Sequence, residues 1–240
     1  SLQLNIDFGP DPEAMWQRAN ALAPLLSAAF ANSPTIDGLA FAPVSRRQQI
    51  WTATDPSRTR PVGTAPDDWR RYILDAHVIP RSDTGPAADP PPEPRSFAAW
   101  LDGADPPTLH DLDTHITTLF PPLRPRGYLE LRMLDALPRQ GRAAAVAAVW
   151  TLLTDPDAGA EADQLGTDPR DSWPVATTLG LADTTTRAAC ARLLRIAADH
   201  LGPTQPQLGD ACDQWRAHVE TATTATSIAE LLSTAETQRP

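Results

Sequence analysis

The chain has 240 residues, 41% of them hydrophobic, enough apolar material for a sizeable core in one large domain or two small ones. Its formal charge is −10, with 30 acidic residues against 20 arginines and no lysine, which argues against a nucleic-acid partner because phosphate binding needs clustered positive charge. There is no secretory leader pattern and no apolar run of about eighteen residues, so we expect a soluble cytoplasmic protein with no membrane partner.

Residues 1–8 alternate strictly between polar and apolar, the period-2 signature of a half-buried strand. Ser1, Gln3, Asn5 and Asp7 share one face, and Leu2, Leu4, Ile6 and Phe8 share the other. Ser1 opens directly into this strand, so the expectation is a piece whose N-terminal portion lies elsewhere. Asp11 and Pro12 then suit the cap and first position of a helix running to about Ala31. Its apolar stripe is Met15, Ala19, Leu22, Leu25, Leu26 and Ala29, and Pro24 should kink it. Asn32-Ser33-Pro34 stops it.

Residues 55–66 and 81–95 are rich in Pro, Asp, Ser, Thr and Gly and read as loops, either of them suited to a mobile flap. Short helices are expected over 66–76, 95–102 and 108–119. A second strand follows at about Gly127–Leu134, where Tyr128, Glu130 and Arg132 alternate with Leu129, Leu131 and Met133. From Arg139 onward, Ala- and Leu-rich segments read as helices near 139–155, 182–201, 205–222 and 226–237. Cys190 and Cys212 fall in these segments without metal-ligand or redox spacing and read as buried neutral thiols.

If the two strands belong to one sheet, Gln3, Asn5 and Asp7 face the same space as Glu130 and Arg132. A carboxylate suits a divalent cation and a guanidinium suits phosphoryl oxygens. On alternation alone, a solvated sheet face with a Glu–Arg ion pair explains the pattern better.

Longer words shift that balance. The opening strand Leu2-Gln3-Leu4-Asn5-Ile6-Asp7-Phe8 is followed by Ala29-Phe30-Ala31-Asn32-Ser33-Pro34, then by the run from Arg47 through Ile50-Trp51, Asp55 and Arg58-Thr59. The fourth is His115-Ile116-Thr117-Thr118-Leu119-Phe120-Pro121-Pro122-Leu123-Arg124-Pro125-Arg126-Gly127-Tyr128-Leu129-Glu130-Leu131-Arg132. In this order the words resemble the plant-type and actinobacterial glutamate–cysteine ligases, and Pro125-Arg126-Gly127-Tyr128-Leu129-Glu130 is most similar to the actinobacterial enzymes that serve ergothioneine synthesis. The likeness fades after about residue 138.

The resemblance implies an α+β fold: a glutamine-synthetase-like antiparallel sheet funnel flanked by helices, with a helical C-terminal region. The expected division is 1–138, the C-terminal part of the catalytic core, and 139–240, a helical region. It implies an ATP-dependent ligase that needs Mg²⁺ and joins the γ-carboxylate of glutamate to the amine of cysteine through an acyl phosphate. Its partners would be these small molecules. Arg47 and Trp51, four apart on a helix face, match the family's glutamate-binding pair. Glu130 matches a metal-binding glutamate and Arg132 a phosphate-contacting arginine, both placed as catalytic. Gln3 and Asn5 match the nucleotide and metal side of the funnel. The remaining acidic metal ligands would lie before Ser1. His115 reads as a structural, hydrogen-bonded histidine. Other readings stay open: a different carboxylate–amine ligase on this scaffold, and a noncatalytic module or a subunit completed by another chain.

Overall fold

The computed structural model describes residues 1–33, 35–36, 39–40, 45–79 and 93–222. Strand β1 (Leu4–Ile6) leads into α1 (Pro12–Ala29), whose first turn is fixed by Asp11 Oδ1 accepting from the Ala14 amide at 2.9 Å. The helix continues unbroken past Pro24 and buries the whole stripe from Met15 to Ala29, together with Trp16, Ala23 and Ala28. A two-residue ladder of β2 (Thr35–Ile36) with β3 (Leu39–Ala40) follows, then α2 (Arg46–Thr54), capped by the Ser45 hydroxyl.

The stretch expected as a loop over 55–66 instead holds a short helix, α3 (Pro56–Thr59), because Asp55 accepts from the Ser57 amide and Pro56 presets the first helical φ. Helices α4 (Pro66–Asp75), α5 (Phe97–Leu101) and α6 (Leu109–Thr117) lie where the sequence places them. Residues 81–92 of the second expected loop lie outside the described residues.

A strand that alternation did not reveal, β4 (Leu123–Pro125), pairs antiparallel with β5 (Leu129–Leu131), itself the centre of the expected 127–134 strand. The three residues between them turn at Gly127, whose φ of 78° lies in the left-handed region that glycine enters without a Cβ clash. β1 pairs antiparallel with the other edge of β5, giving the order β1-β5-β4. The fold is therefore α+β with an antiparallel sheet, as expected. The sheet is small, with three strands and open edges among the described residues.

The rest is helical: α7 (Arg139–Thr154), α8 (Pro156–Asp163), α9 (Pro169–Thr178), a 3₁₀ turn (Gly180–Ala182), α10 (Thr184–Leu201) and α11 (Pro206–Thr221). α8 and α9 were not expected; the helix expected at 226–237 lies outside the described residues. α1 packs against α7, α8, α9 and α10, so its apolar stripe is the spine of one continuous core that also takes in Ile6, Leu123, Leu129 and Leu131 from the sheet. Trp215 of α11 closes this core: it stacks on Phe30, donates to the Ala29 carbonyl at 2.9 Å and lies against Gly141. Cys190 and Cys212 are free and buried, and burial pushes both thiols up, Cys212 to about 12. No helix among the described residues is long and apolar enough to cross a membrane.

Candidate active site

Because successive side chains of a strand point to opposite faces, seating Leu4, Ile6, Leu129 and Leu131 on the core turns the intervening residues the other way. Register then sets Asn5 opposite Glu130, and Arg124 opposite Glu130 on the far side. Polar side chains from all three strands thus form one row across the sheet.

Glu130 is the centre of that row. Its Oε1 accepts from Gln3 Nε2 at 2.6 Å and from Arg132 Nη1 at 3.4 Å, and Arg124 Nε donates to Oε2. Gln3 also reaches Asn5 Oδ1 at 3.4 Å. Arg124 is further tied by Nη1 to the Leu119 carbonyl at 2.9 Å. The Glu130 side chain is only 5% exposed. Burial pushes its carboxyl up, but the hydrogen bond and charge of Arg124, with the charges of Arg132 and Arg126, together outweigh burial and hold it below the usual carboxylate range. Burial and the neighbouring Arg124 conversely draw the Arg132 guanidinium below its ordinary value.

The row continues onto α2 through Phe120. The guanidinium of Arg132 lies 5.2 Å from the Phe120 ring centre and that of Arg124 5.6 Å, and Trp51 packs on the same ring with centroids 5.5 Å apart. Arg47, one turn before Trp51, sends Nη2 to the Arg132 carbonyl at 2.6 Å and Nη1 to the Leu134 carbonyl at 3.4 Å. Buried Asp135 stands 3.9 Å from Arg47 Nη1. Gln3, Asn5, Glu130, Arg132, Arg47 and Trp51, six residues drawn from three sequence words, are therefore neighbours in space, while Asp7 lies beyond β1, exposed.

Arg124 and Arg132 stand against buried Glu130 and Arg47 near buried Asp135, with the charge of Arg126 also acting on Glu130, so positive charge is in excess here, an arrangement able to receive carboxylate or phosphate oxygens. Mg²⁺ is a poorer fit for this chain alone: a lone carboxylate with both oxygens engaged by guanidinium or amide donors leaves no free oxygen pair. No group of three or more His, Cys, Asp or Glu side chains placed to hold a metal is found among the described residues.

Sequence reasoning passed over Arg124, Phe120 and Asp135. Arg124 sits between prolines in a stretch that shows no strand alternation, and a Phe shows no chemistry until its neighbours are known; the opposing Arg124–Glu130 register was the missing signal. Other residues of the matching words do structural work. Arg58 is buried and donates to the His77 and Thr118 carbonyls, locking α3 against α6. His115 is buried, stacks on Phe97 and pairs Nε2 with the Ile73 carbonyl at 2.9 Å, as a structural histidine should.

The model of glutamate–cysteine ligase family 2 matches residues 1–224. Glutamate–cysteine ligase EgtA of Mycolicibacterium smegmatis is 40% identical over 211 residues, covering 83% of this chain and 49% of that protein. EgtA of Mycobacterium tuberculosis is 37% identical over 216 residues, with 82% and 49% covered. A chloroplastic glutamate–cysteine ligase of Medicago truncatula is 33% identical over 171 residues, with 62% and 32% covered. The chain spans about half the length of the two mycobacterial relatives.

Proposed function

This chain belongs to glutamate–cysteine ligase family 2, and from that premise we propose that it carries the glutamate-binding and phosphoryl-binding side of an ATP-dependent ligase that makes γ-glutamylcysteine. The observation that carries the reading is the convergence of Gln3 and Arg132 on Glu130, of Arg47 on the Arg132 carbonyl, and of Trp51 and Arg132 on the Phe120 ring.

An oxygen of the glutamate γ-carboxylate attacks the terminal phosphorus of ATP, and ADP leaves. The cysteine amine then attacks the acyl carbon, phosphate leaves with the bonding pair, and the amine proton is lost. Two anions must meet in the first step, so screening their charge is the protein's main task. Arg47 grips a glutamate carboxylate and Trp51 walls the pocket. Arg132, with Arg124 beside it, meets the charge that builds on the phosphoryl oxygens. Glu130 fixes both guanidiniums in place, and Gln3 and Asn5 border the nucleotide. Strands from outside the chain would complete the open sheet into a funnel and supply the carboxylates that a Mg²⁺ site needs. The likeness to the mycobacterial EgtA proteins supports a cytoplasmic enzyme whose product feeds ergothioneine-type thiol synthesis.

Glutamate labelled with ¹⁸O in its γ-carboxylate tests the acyl-phosphate route. One labelled oxygen should appear in the phosphate released with γ-glutamylcysteine; unlabelled phosphate would rule this route out.

A further inference from the structure

We propose that Asp135 is a positioning residue that aims Arg47 at the bound glutamate, an inference that rests on the glutamate-binding role given to Arg47. Asp135 follows β5 and is 1% exposed. Its carboxylate gathers donors from two other segments. Oδ2 accepts from the Asn32 amide at 2.8 Å and from the Ser33 hydroxyl at 2.8 Å, both just past α1. The Ser45 hydroxyl, the N-cap of α2, lies 3.2 Å from Oδ2 and 3.3 Å from Oδ1.

Those donors are the groups that hold the first turn of α2. Ser33 Oγ accepts from the Arg47 amide at 3.2 Å, the Ser33 carbonyl accepts from the Arg46 amide at 3.1 Å, and Ser45 Oγ accepts from the Gln48 amide at 3.4 Å. Gln48 pins the same turn to the strand exit through its amide nitrogen and the Met133 carbonyl, 2.8 Å apart. One carboxylate therefore fastens the start of α2 to the end of β5, and Arg47 leaves that turn aimed along the strand at the Arg132 and Leu134 carbonyls.

A buried carboxylate is costly unless its lone pairs are filled and a cation stands near. Here three donors fill it, and Arg47 at 3.9 Å is the cation. A residue needed only for packing would not require a charge at this point. Asp135 therefore acts through Arg47 and touches no substrate.

The experiment is steady-state kinetics of the complete natural polypeptide with Asp135→Asn, Arg47→Gln and the double variant, supported by glutamate titration calorimetry. Asp135→Asn should raise the glutamate KM roughly tenfold or more while the ATP KM stays within about twofold, as for loss of one charge-assisted contact. In the Arg47→Gln background the same change should add less than about twofold, because its effect runs through Arg47. Equal rises in both KM values, or losses that multiply in the double variant, would overturn the positioning role while leaving the ligase intact. Wild-type protein that neither binds glutamate nor makes dipeptide would overturn the functional reading and this role with it. If Asp135→Asn does not fold, Ser33→Ala removes one Asp135 donor and the Arg47 amide acceptor together. A raised glutamate KM in that variant supports the role, and an unchanged one refutes it.

Discussion

Burial pushes the Glu130 carboxyl up, yet the hydrogen bond and charge of Arg124 with the charges of Arg132 and Arg126 outweigh it and hold the group below the usual carboxylate range. The sign of the consequence follows. Its folded pKa is depressed, so its contribution to stability is complete above the unfolded value of about 4.3 and is lost as pH falls through the folded value. Glu130→Gln should therefore lower the urea midpoint at pH 7, and its gap to wild type should narrow as pH falls below the unfolded carboxylate value; a gap constant through the acid range would contradict the pairing. Function separates the arginines. Arg47→Ala should raise the glutamate KM roughly tenfold or more with ATP binding nearly unchanged, because one carboxylate contact is lost. Arg132→Ala should instead lower kcat roughly 100-fold, since its charge is needed most as phosphoryl transfer proceeds. Unchanged glutamate kinetics, or near-normal turnover, would remove the residue concerned from the site.

At the scale of elements, what the sequence made legible depended on how far each segment obeyed a period. β1 and β5 alternate, and α1, α7, α10 and α11 repeat their apolar residues at helical spacing, so all were readable. β4 was not, because prolines surround Arg124 and mask the three paired residues; with it went the Arg124–Glu130 contact that organises the site. α3, α8 and α9 are short and poor in apolar repeat. They share a local signal that period alone ignores: each begins, as α1 does, with an Asp cap followed by Pro at the first helical position. Asp155 takes the amides of Asp157 at 3.0 Å and Ala158 at 2.9 Å, and Asp168 takes that of Arg170 at 2.9 Å. One helix contact tests the packing directly. A Cβ added at Gly141 would lie 2.9 Å from the Trp215 ring, so Gly141→Ala should part α7 from α11 and cost roughly 1–3 kcal/mol in thermal or denaturant unfolding. Unchanged stability would mean that the two helices pack more loosely than described.

For the whole molecule, one core joins the sheet to the helices that follow it, so the polar row stands on a rigid support built largely from α1. The six site residues drawn from the family resemblance are neighbours here, although the words that contain them are separated by long stretches of chain. Asp135 was not legible because its work is done through backbone and hydroxyl groups of remote segments, which no spacing records. The proposed role as one side of a phosphoryl-transfer site is in keeping with a chain that spans about half the length of its mycobacterial relatives. The most direct test is to supply the complete natural polypeptide with glutamate, ATP and Mg²⁺, with and without cysteine, while following ADP and the mass of γ-glutamylcysteine. Cysteine-dependent release of ADP matched by dipeptide is the predicted result; ADP without dipeptide, or no turnover at all, would contradict the account.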